Sequence, residues 1–422
     1  MVEEIVIIGC NHKTAPIKIR EKLVFPDESI KEHLKNLQST FPKNEVLIIS
    51  TCNRTEFYFS TENHEEIFEK IPCYLEEHFN LEKSEYKEHM YQYKEPDSIY
   101  HLFRVASSLD SMVIGETQIL GQVKDAYDLA QSTGTVGKLL HNFFQRSFFV
   151  AKRVKTETRI SEKSVSVSSV AVELAEKILG NLEKRNVMLI GAGKMSEITA
   201  KHLQGRGAAS ILVANRSIDK AKTLAERIGG SAIKFDEFYK HLPDSDIVIS
   251  STNAPHYIVK PDQVSKIISK RKQKPVFFID IALPRDIDPA VNNIDNVYLY
   301  DIDDLQSVAA QNMLVRKDEY EKAMMIIGEE VGKFHVWLRT LLVEPTISNL
   351  QAYMDSIIQE ELRKTLSKIE NISEVDQEQI EYMTRRIMNK FLHLPIKNLK
   401  ELIGEGKTEH LETIETLFEL KK

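Results

Sequence analysis

The sequence predicts a multidomain α/β chain, with an N-terminal α+β domain, a central doubly wound parallel sheet and a C-terminal all-helical domain. Three observations predict it. Between Glu183 and Asp301, the apolar runs Val187-Met188-Leu189-Ile190, Ile211-Leu212-Val213-Ala214, Ile247-Val248-Ile249-Ser250 and Val276-Phe277-Phe278-Ile279-Asp280 alternate with helical stretches, the signature of a parallel sheet wrapped on both faces. The first run passes straight into Gly191-Ala192-Gly193, glycines spaced for a strand-to-helix turn. After Asp301 no strand signal remains, and apolar residues recur at helical spacing.

In the N-terminal part, Ile5–Ile8 and Val46–Ile49 read as strands, Glu56-Phe57-Tyr58-Phe59 alternates like a third, and Asp27 after Pro26 caps a helix with the stripe Ile30, Leu34 and Leu37. From Pro96 the pattern turns helical, and Phe143, Phe144, Phe148, Phe149 and Val150 make a strongly apolar face. No Pro or Gly interrupts Lys138 to Leu179, which gives one long connecting helix or two abutting ones. The expected domains are 1–155, a connecting helix at 156–182, a nucleotide-binding domain at 183–304 and a helical domain at 305–422. In the last, Leu305, Val308, Met324, Ile327, Val331, Leu338 and Leu341 fall at helical spacing, as do Leu350, Met354, Ile357 and Leu366, then Ile380, Met383, Ile387 and Phe391. Long amphipathic helices hide such stripes against a partner, which predicts a homodimer through the C-terminal helices; packing solely among themselves is the alternative.

At 422 residues the chain has room for two to three domains. Hydrophobic residues make up 42% and charged residues 28%, as in ordinary globular proteins. No apolar stretch is long enough to span a membrane and the start lacks the basic region of a signal peptide, so no membrane association and a cytoplasmic location are expected. Three scattered cysteines, Cys10, Cys52 and Cys73, suit neither a disulfide framework nor a metal site. The net charge of −7 argues against indiscriminate nucleic-acid binding. Locally, Lys138, Arg146, Lys152, Arg153, Lys155, Arg159 and Lys163 stand against only Glu157 and Glu162. That excess suits an RNA backbone, the alternative being a solvated helix face.

Gly191 and Gly193 permit a tight turn and a close approach of backbone to a pyrophosphate at a helix N-terminus, with Ala192, Lys194 and Met195 completing a Rossmann-type cofactor turn. The third glycine of the usual fingerprint is replaced by Ser196. At the end of the next strand an acidic residue would select NAD, but the chain reads Asn215-Arg216-Ser217, with Lys220 one turn on. A cation and a hydroxyl there suit a 2′-phosphate, and NADPH is the expected cofactor. The alternative is an exposed Arg216 and a Ser217 that only caps a helix. Ser251-Thr252-Asn253-Ala254 and Asp280-Ile281-Ala282-Leu283-Pro284-Arg285 follow later strands, where loops meet a nicotinamide.

The chemistry centres on Cys52 in Ser50-Thr51-Cys52-Asn53-Arg54-Thr55-Glu56, where a strand ends and a turn begins. A thiol attacks as thiolate, and a guanidinium such as Arg54 favours that form. Arg54 also suits a bidentate pair with a ligand carboxylate, and Glu116 suits an α-ammonium group. On the residues alone, Cys52 as a small buried hydrophobe remains the other reading.

Four segments occur in order: Gly9-Cys10-Asn11-His12-Lys13-Thr14-Ala15-Pro16, the Cys52 turn, His101-Leu102-Phe103-Arg104-Val105-Ala106, and Gly115-Glu116-Thr117-Gln118-Ile119-Leu120-Gly121-Gln122-Val123-Lys124. Together they resemble the glutamyl-tRNA reductase family over nearly the whole chain. The resemblance implies that Cys52 is the nucleophile, that His101 matters for activity, and that Thr51, Asn53, Arg54, Ser111, Glu116, Thr117, Gln118 and Gln122 line the substrate site. It implies NADPH-dependent reduction of glutamyl-tRNA(Glu) to glutamate-1-semialdehyde through a thioester, the first step of five-carbon tetrapyrrole synthesis, and hand-over of the aldehyde to glutamate-1-semialdehyde aminotransferase. Cys10 stands where an aliphatic residue is usual, and Thr117 where proline is common. Two rivals are a shikimate-type dehydrogenase, which needs no thiol, and an inactive dinucleotide sensor acting through its helical dimer.

Overall fold

Ten strands among the described residues sort into two sheets, and each carries one of the two turns singled out above. The structure, a computed structural model, describes residues 3–79, 81–111, 114–115, 118–160, 167–311, 317–369 and 372–420. The chain divides into two units, Glu3–Ile327 and Gly328–Lys422.

The first sheet has the order β2-β3-β1-β4 with antiparallel pairing throughout. It is built by β1 (Glu4–Asn11), α1 (Ile17–Leu23), α2 (Asp27–Thr40), β2 (Glu45–Ser50), β3 (Arg54–Thr61), α3 (His64–Phe79), α4 (Lys83–Tyr86), β4 (Tyr91–Tyr93), α5 (Asp97–Ala106), α6 (Gln118–Thr133) and α7 (Lys138–Glu157). Helices pack against both faces. The Glu56-Phe57-Tyr58-Phe59 segment, which alternates in sequence, is therefore buried along its whole length. The helix expected to be capped by Asp27 starts at that residue, with Pro26 in the capping position. On α7, Phe143 and Phe144 are core residues, but Phe149 is 48% exposed under the Arg146 guanidinium. Of the basic run, Lys138, Lys152, Lys155 and Arg159 are exposed and Arg153 pairs with Glu157; Glu162 and Lys163 lie outside the described residues.

Among the described residues of 156–182 the chain is not one continuous helix. Helix α7 ends at Glu157, Thr158 is extended, and α8 (Val167–Leu179) belongs to the nucleotide-binding core, where Val170, Ala171, Leu174 and Ala175 share one apolar cluster with Leu189, Val213 and Ile249. Its apolar stripe has a sheet to cover, which overrides the continuity that the lack of Gly and Pro suggested.

The second sheet is parallel, in the order β10-β9-β8-β5-β6-β7. It comprises β5 (Asn186–Ile190), α9 (Lys194–Gly205), β6 (Ser210–Asn215), α10 (Ile218–Arg227), β7 (Ser231–Lys234), α11 (Phe238–His241), β8 (Ile247–Ser250), α12 (Pro261–Lys270), β9 (Val276–Asp280) and β10 (Val297–Asp301). The chain reverses direction of build-up between β5 and β8, and the crevice at such a switch point is where ligands bind. The two edge strands, β7 and β10, are less buried than the four central ones. Leu305, assigned from sequence to the helical domain, is fully buried in the nucleotide-binding core on α13 (Ile302–Gln311), which packs against α8.

The remaining helices are α14 (Lys317–Leu341), α15 (Glu344–Leu366), α16 (Glu374–Gly404) and α17 (Glu409–Leu417). Within the C-terminal unit, Val343 and Ile347 pack with Leu399 and Ile403, and Leu350 with Met388 and Leu392. The Met383, Ile387 and Phe391 stripe on α16 is uncovered, at 54%, 60% and 63% exposure. No helix among the described residues is long and apolar enough to cross a membrane.

Candidate active site

Thr51, Cys52 and Asn53 form the tip of the β2–β3 hairpin, because Ser50 pairs with Thr55. Thr51 N–H donates to the Arg54 carbonyl at 2.8 Å, and Thr51 Oγ1 accepts from the N–H groups of Asn53 and Arg54, each at 3.2 Å. A hydroxyl that closes its own turn is the reason for Thr here. His12 N–H donates to the Asn53 carbonyl at 2.9 Å, and Arg20 on α1 donates to the Cys52 carbonyl. The tip is thus tied from within and from two neighbouring segments, with the Cys52 side chain half-buried. The other two thiols differ. Cys10 is wholly buried in β1, where burial pushes its pKa up to about 12, and Cys73 is exposed on α3.

Behind the tip lies a buried charge network. Arg54, 1% exposed, pairs through Nη1 with Glu56 at 2.6 Å, and through Nη2 with the Asp110 carbonyl at 2.6 Å and its carboxylate at 3.3 Å. The terminal nitrogens expected to meet a ligand carboxylate are therefore engaged by the protein; among the described residues Arg54 Nε has no acceptor. Glu56 also accepts from Tyr58 at 2.5 Å and from Tyr91. Burial raises the Glu56 carboxyl, but Arg54 and His101 more than reverse this and hold it below the usual carboxylate range. His101 reaches Glu56 through Nε2 at 2.8 Å and is buried at 5% exposure, so it joins the network through Glu56. Burial, then the Arg54 charge, lowers His12 to about 3, so its ring is neutral.

The second turn is held by small volume. Gly191 has φ +100°, and a Cβ there would lie 2.5 Å from the Ser251 carbonyl oxygen. At Gly193 a Cβ would lie 2.9 Å from Ser251 Oγ. Ser196, in place of the third glycine, is fully buried and hydrogen-bonds Ser251 through its hydroxyl, so it fastens α9 to the β8 loop. Gly193 caps α9 without a side-chain acceptor, and Ala192 stands half-buried beside it. A glycine turn at an uncapped helix start fits a dinucleotide pyrophosphate. At the end of β6, Asn215 donates to the Ser217 carbonyl at 3.2 Å and Ser217 Oγ accepts from Lys220 N–H at 3.3 Å as the cap of α10. Arg216 is exposed, with its guanidinium 5.8 Å from the Phe235 ring centre.

Both turns face one cavity of about 410 Å³. Thr51, Cys52, Gln118 and Gln122 line it from the N-terminal domain; Gly193, Met195, Ser251–Asn253 and Ile281–Pro284 line it from the nucleotide-binding domain. A smaller adjoining pocket adds Asn53, Arg54 and Ser111 to Cys52, Gln118 and Gln122. Glu116, Thr117 and the Lys194 side chain lie outside the described residues. Asn215, Arg216 and Ser217 line neither space.

Sequence reasoning missed the buried acids that shape the nucleotide loops. Asp286 accepts from Ser250 Oγ at 2.6 Å and Thr252 N–H at 2.7 Å, while Asp280 accepts from the N–H groups of Ala282 and Ile287 at 3.1 and 2.8 Å. Burial, and then the neighbouring Asp286, pushes the Asp280 carboxyl well above its usual range. The signal was present as Asp280 and Asp286 bracketing a Pro-containing loop. Arg20 and Asp110 gave no such signal, since their partners are distant in sequence.

Residues 8–158 match the family model described as glutamyl-tRNAGlu reductase, N-terminal domain. Residues 173–308 match shikimate / quinate 5-dehydrogenase, and residues 322–420 the glutamyl-tRNAGlu reductase dimerisation domain. Glutamyl-tRNA reductases of Geobacter metallireducens and Pelobacter propionicus are each 45% identical over 418 residues, covering 99% of this chain and 96% of theirs. The solved glutamyl-tRNA reductase of Methanopyrus kandleri is 34% identical and aligns over 99% of this chain and 100% of its own, with a TM-score of 0.52. A dehydrogenase-type nucleotide domain behind a thiol-bearing hairpin, with identity carried along the full length, makes this chain an oxidoreductase that belongs to the glutamyl-tRNA reductase family.

Proposed function

We propose that the protein reduces glutamyl-tRNA(Glu) to glutamate-1-semialdehyde with NADPH, releasing tRNA, as the entry step of tetrapyrrole synthesis. The observation that carries this reading is the cavity of about 410 Å³ lined both by Cys52 and by the loops of the glycine-turn domain. Cys52 thiolate attacks the ester carbonyl carbon; the ester oxygen leaves with the tRNA and takes a proton, and a glutamyl thioester remains. Gly191 and Gly193 would hold the pyrophosphate and Arg216 the 2′-phosphate of NADPH, and the bound cofactor would supply a hydride to the thioester carbonyl carbon on the way to the aldehyde. The C–S bond then breaks and returns the thiolate of Cys52. Asn53, Ser111, Gln118 and Gln122 offer hydrogen bonds to the glutamyl group in the smaller pocket, and the unsatisfied Nε of Arg54 adds a cationic donor. His101 acts through Glu56 by holding Arg54 in place.

The exposed cations of α7 suit the tRNA backbone. The uncovered α16 stripe suits a second copy of this chain, and a double Ile387→Glu and Phe391→Glu variant is expected to halve the subunit count in light scattering. Because the aldehyde is reactive, direct hand-over to the following aminotransferase is part of this reading.

The decisive experiment omits NADPH. Incubation with glutamyl-tRNA followed by peptide mapping should find a glutamyl mass on the Cys52 peptide, with slow release of glutamate as water attacks the thioester. Cys52→Ser should carry no adduct and no reductase activity while still binding NADPH. Wild-type turnover in Cys52→Ser, or an adduct at another cysteine, removes the mechanism.

A further inference from the structure

We propose that α1 is a latch that holds the nucleotide-binding domain closed over the Cys52 turn, and that Arg20 is a positioning residue for the hydride-transfer step. The proposal rests on the reading above, that Cys52 carries the acyl group. Two consecutive residues of α1 cross to the other domain. Arg20, 2% exposed, donates through Nε to the Ala15 carbonyl at 3.1 Å, through Nη1 to the carbonyl of Cys52 itself, and through Nη2 to Asp303. Glu21 takes both nitrogens of the Arg285 fork, Nε and Nη2, at 3.0 Å each.

Both partners lie in the nucleotide-binding domain where that domain meets the cavity. Asp303 is in the first turn of α13, its N–H bonded to Asp301 Oδ1 at 3.0 Å, and α13 packs on α8. Arg285 directly follows Ile281–Pro284, which line the cavity opposite Cys52. One buried guanidinium therefore joins the backbone of the nucleophilic residue to the domain that holds the hydride donor. A second ion pair one residue on fixes the loop across from it.

This arrangement has two states and not a continuum. A guanidinium as buried as Arg20 is stable only while its charge is compensated. Movement of the nucleotide domain that takes Asp303 away leaves Arg20 to be rehydrated or re-paired, which disturbs its hold on the Cys52 carbonyl. Interdomain closure and the set of the thiol turn are thereby coupled. Acyl transfer to Cys52 uses groups of the first domain, whereas hydride transfer needs both domains. The latch should govern the second step far more than the first.

The test uses full-length protein carrying Glu21→Arg, Arg285→Glu, or both, assayed for NADPH-dependent aldehyde formation and for NADPH-free glutamate release. Each single variant places like charges face to face and should lower aldehyde formation about tenfold or more, with glutamate release within about twofold of wild type. The double variant restores an opposite pair and should recover aldehyde formation to within about threefold of wild type. Asp303→Asn, which weakens the outer bond of Arg20 and leaves its inner one, should show the same split. Unchanged aldehyde formation in the single variants overturns the latch. So does a parallel loss of both activities that the double variant does not recover, since that outcome marks a merely structural pair. Should wild type form no adduct at Cys52, the functional reading fails instead, and amide exchange then tests the latch alone. Residues 51–54 and 281–285 should exchange faster in each single variant and return in the double variant; equal exchange in all four proteins overturns it.

Discussion

The turn that carries Cys52 and the turn at Gly191–Gly193 each follow a buried strand and face the same cavity, yet opposite means hold them. The first depends on charge. Arg20 ties the tip from outside, and Arg54, Glu56 and Asp110 form an ionic cluster immediately beneath it. The second depends on the absence of atoms, with Gly191 pressed against the Ser251 carbonyl, Gly193 against its hydroxyl, and the Ser196 hydroxyl as the fastening. In the proposed reaction the Cys52 thiol must keep its place through changes of charge, and a rigid ionic base provides that. A pyrophosphate must touch backbone, and only the removal of side chains permits it. The difference makes the two turns fail in different ways.

The largest effect is expected at Arg54→Met, which leaves Glu56 buried with its main partner gone and should cost about 3–5 kcal/mol of stability by denaturant unfolding. The pH dependence follows from the direction of the Glu56 shift. In wild type its folded pKa lies below the unfolded one, so its contribution is present above the unfolded value and is lost as pH falls through the folded value. In Arg54→Met the carboxyl is favoured neutral, so the sign inverts and stability is lost as pH rises through the raised value. The gap between the two proteins should therefore narrow as pH falls through the raised value of the variant and on below the unfolded value of about 4.3, and a gap that stays constant there would show that the ionic cluster is not what holds the turn.

Next comes Gly191→Ala, where a positive φ and the contact with Ser251 combine to cost about 1–3 kcal/mol. Cofactor fluorescence titration should show weaker binding. Unlike the Arg54 effect, the stability loss should be the same across pH and salt, because no charge is involved; a salt-dependent loss would blur the distinction between the turns. Arg216→Ala should lower the preference for NADPH over NADH about tenfold, on the order of 1.5 kcal/mol, read from the ratio of kcat/KM with the two cofactors. An unchanged ratio would leave Lys220 and the Ser217 hydroxyl as the phosphate-binding groups. Ser196→Ala should have the smallest effect, about 1 kcal/mol from one lost buried hydrogen bond, with cofactor affinity nearly unchanged.

The two turns also differ in how much of them the sequence discloses. Gly191, Gly193 and the strands β5, β6, β8 and β9 are legible because volume and hydrophobic runs are local properties. Cys52 is legible as a chemical group, and its resemblance to a family motif places it. What holds Cys52 is not legible: Arg20 meets Asp303 across 283 positions of chain, and Arg54 meets Asp110 across 56. Long-range charge pairing leaves no periodicity to read. The same limit explains α8, whose stripe looks like any amphipathic helix until the sheet it covers is known, and the edge strands β7 and β10, whose half-solvated residues resemble loops. Ser217 could be read as a cap or as a phosphate ligand from sequence; the hydrogen bond from Lys220 N–H assigns the first role without removing the hydroxyl from the second.

Cys10 offers a built-in reporter of how the catalytic sheet breathes. Its thiol lies inside β1, opposite Thr55 of β3, and its raised pKa keeps it almost entirely protonated at neutral pH. An alkylating reagent can reach it only when the packing over that face of the sheet opens. The rate at which folded protein loses this thiol to iodoacetamide is therefore a clock for opening of the core around β1, read by mass spectrometry at a natural residue, much as amide exchange times the opening of a backbone hydrogen bond. Cys52 and Cys73 are modified without that opening, so the lag between their labelling and that of Cys10 measures how long the core beneath the Cys52 turn stays shut.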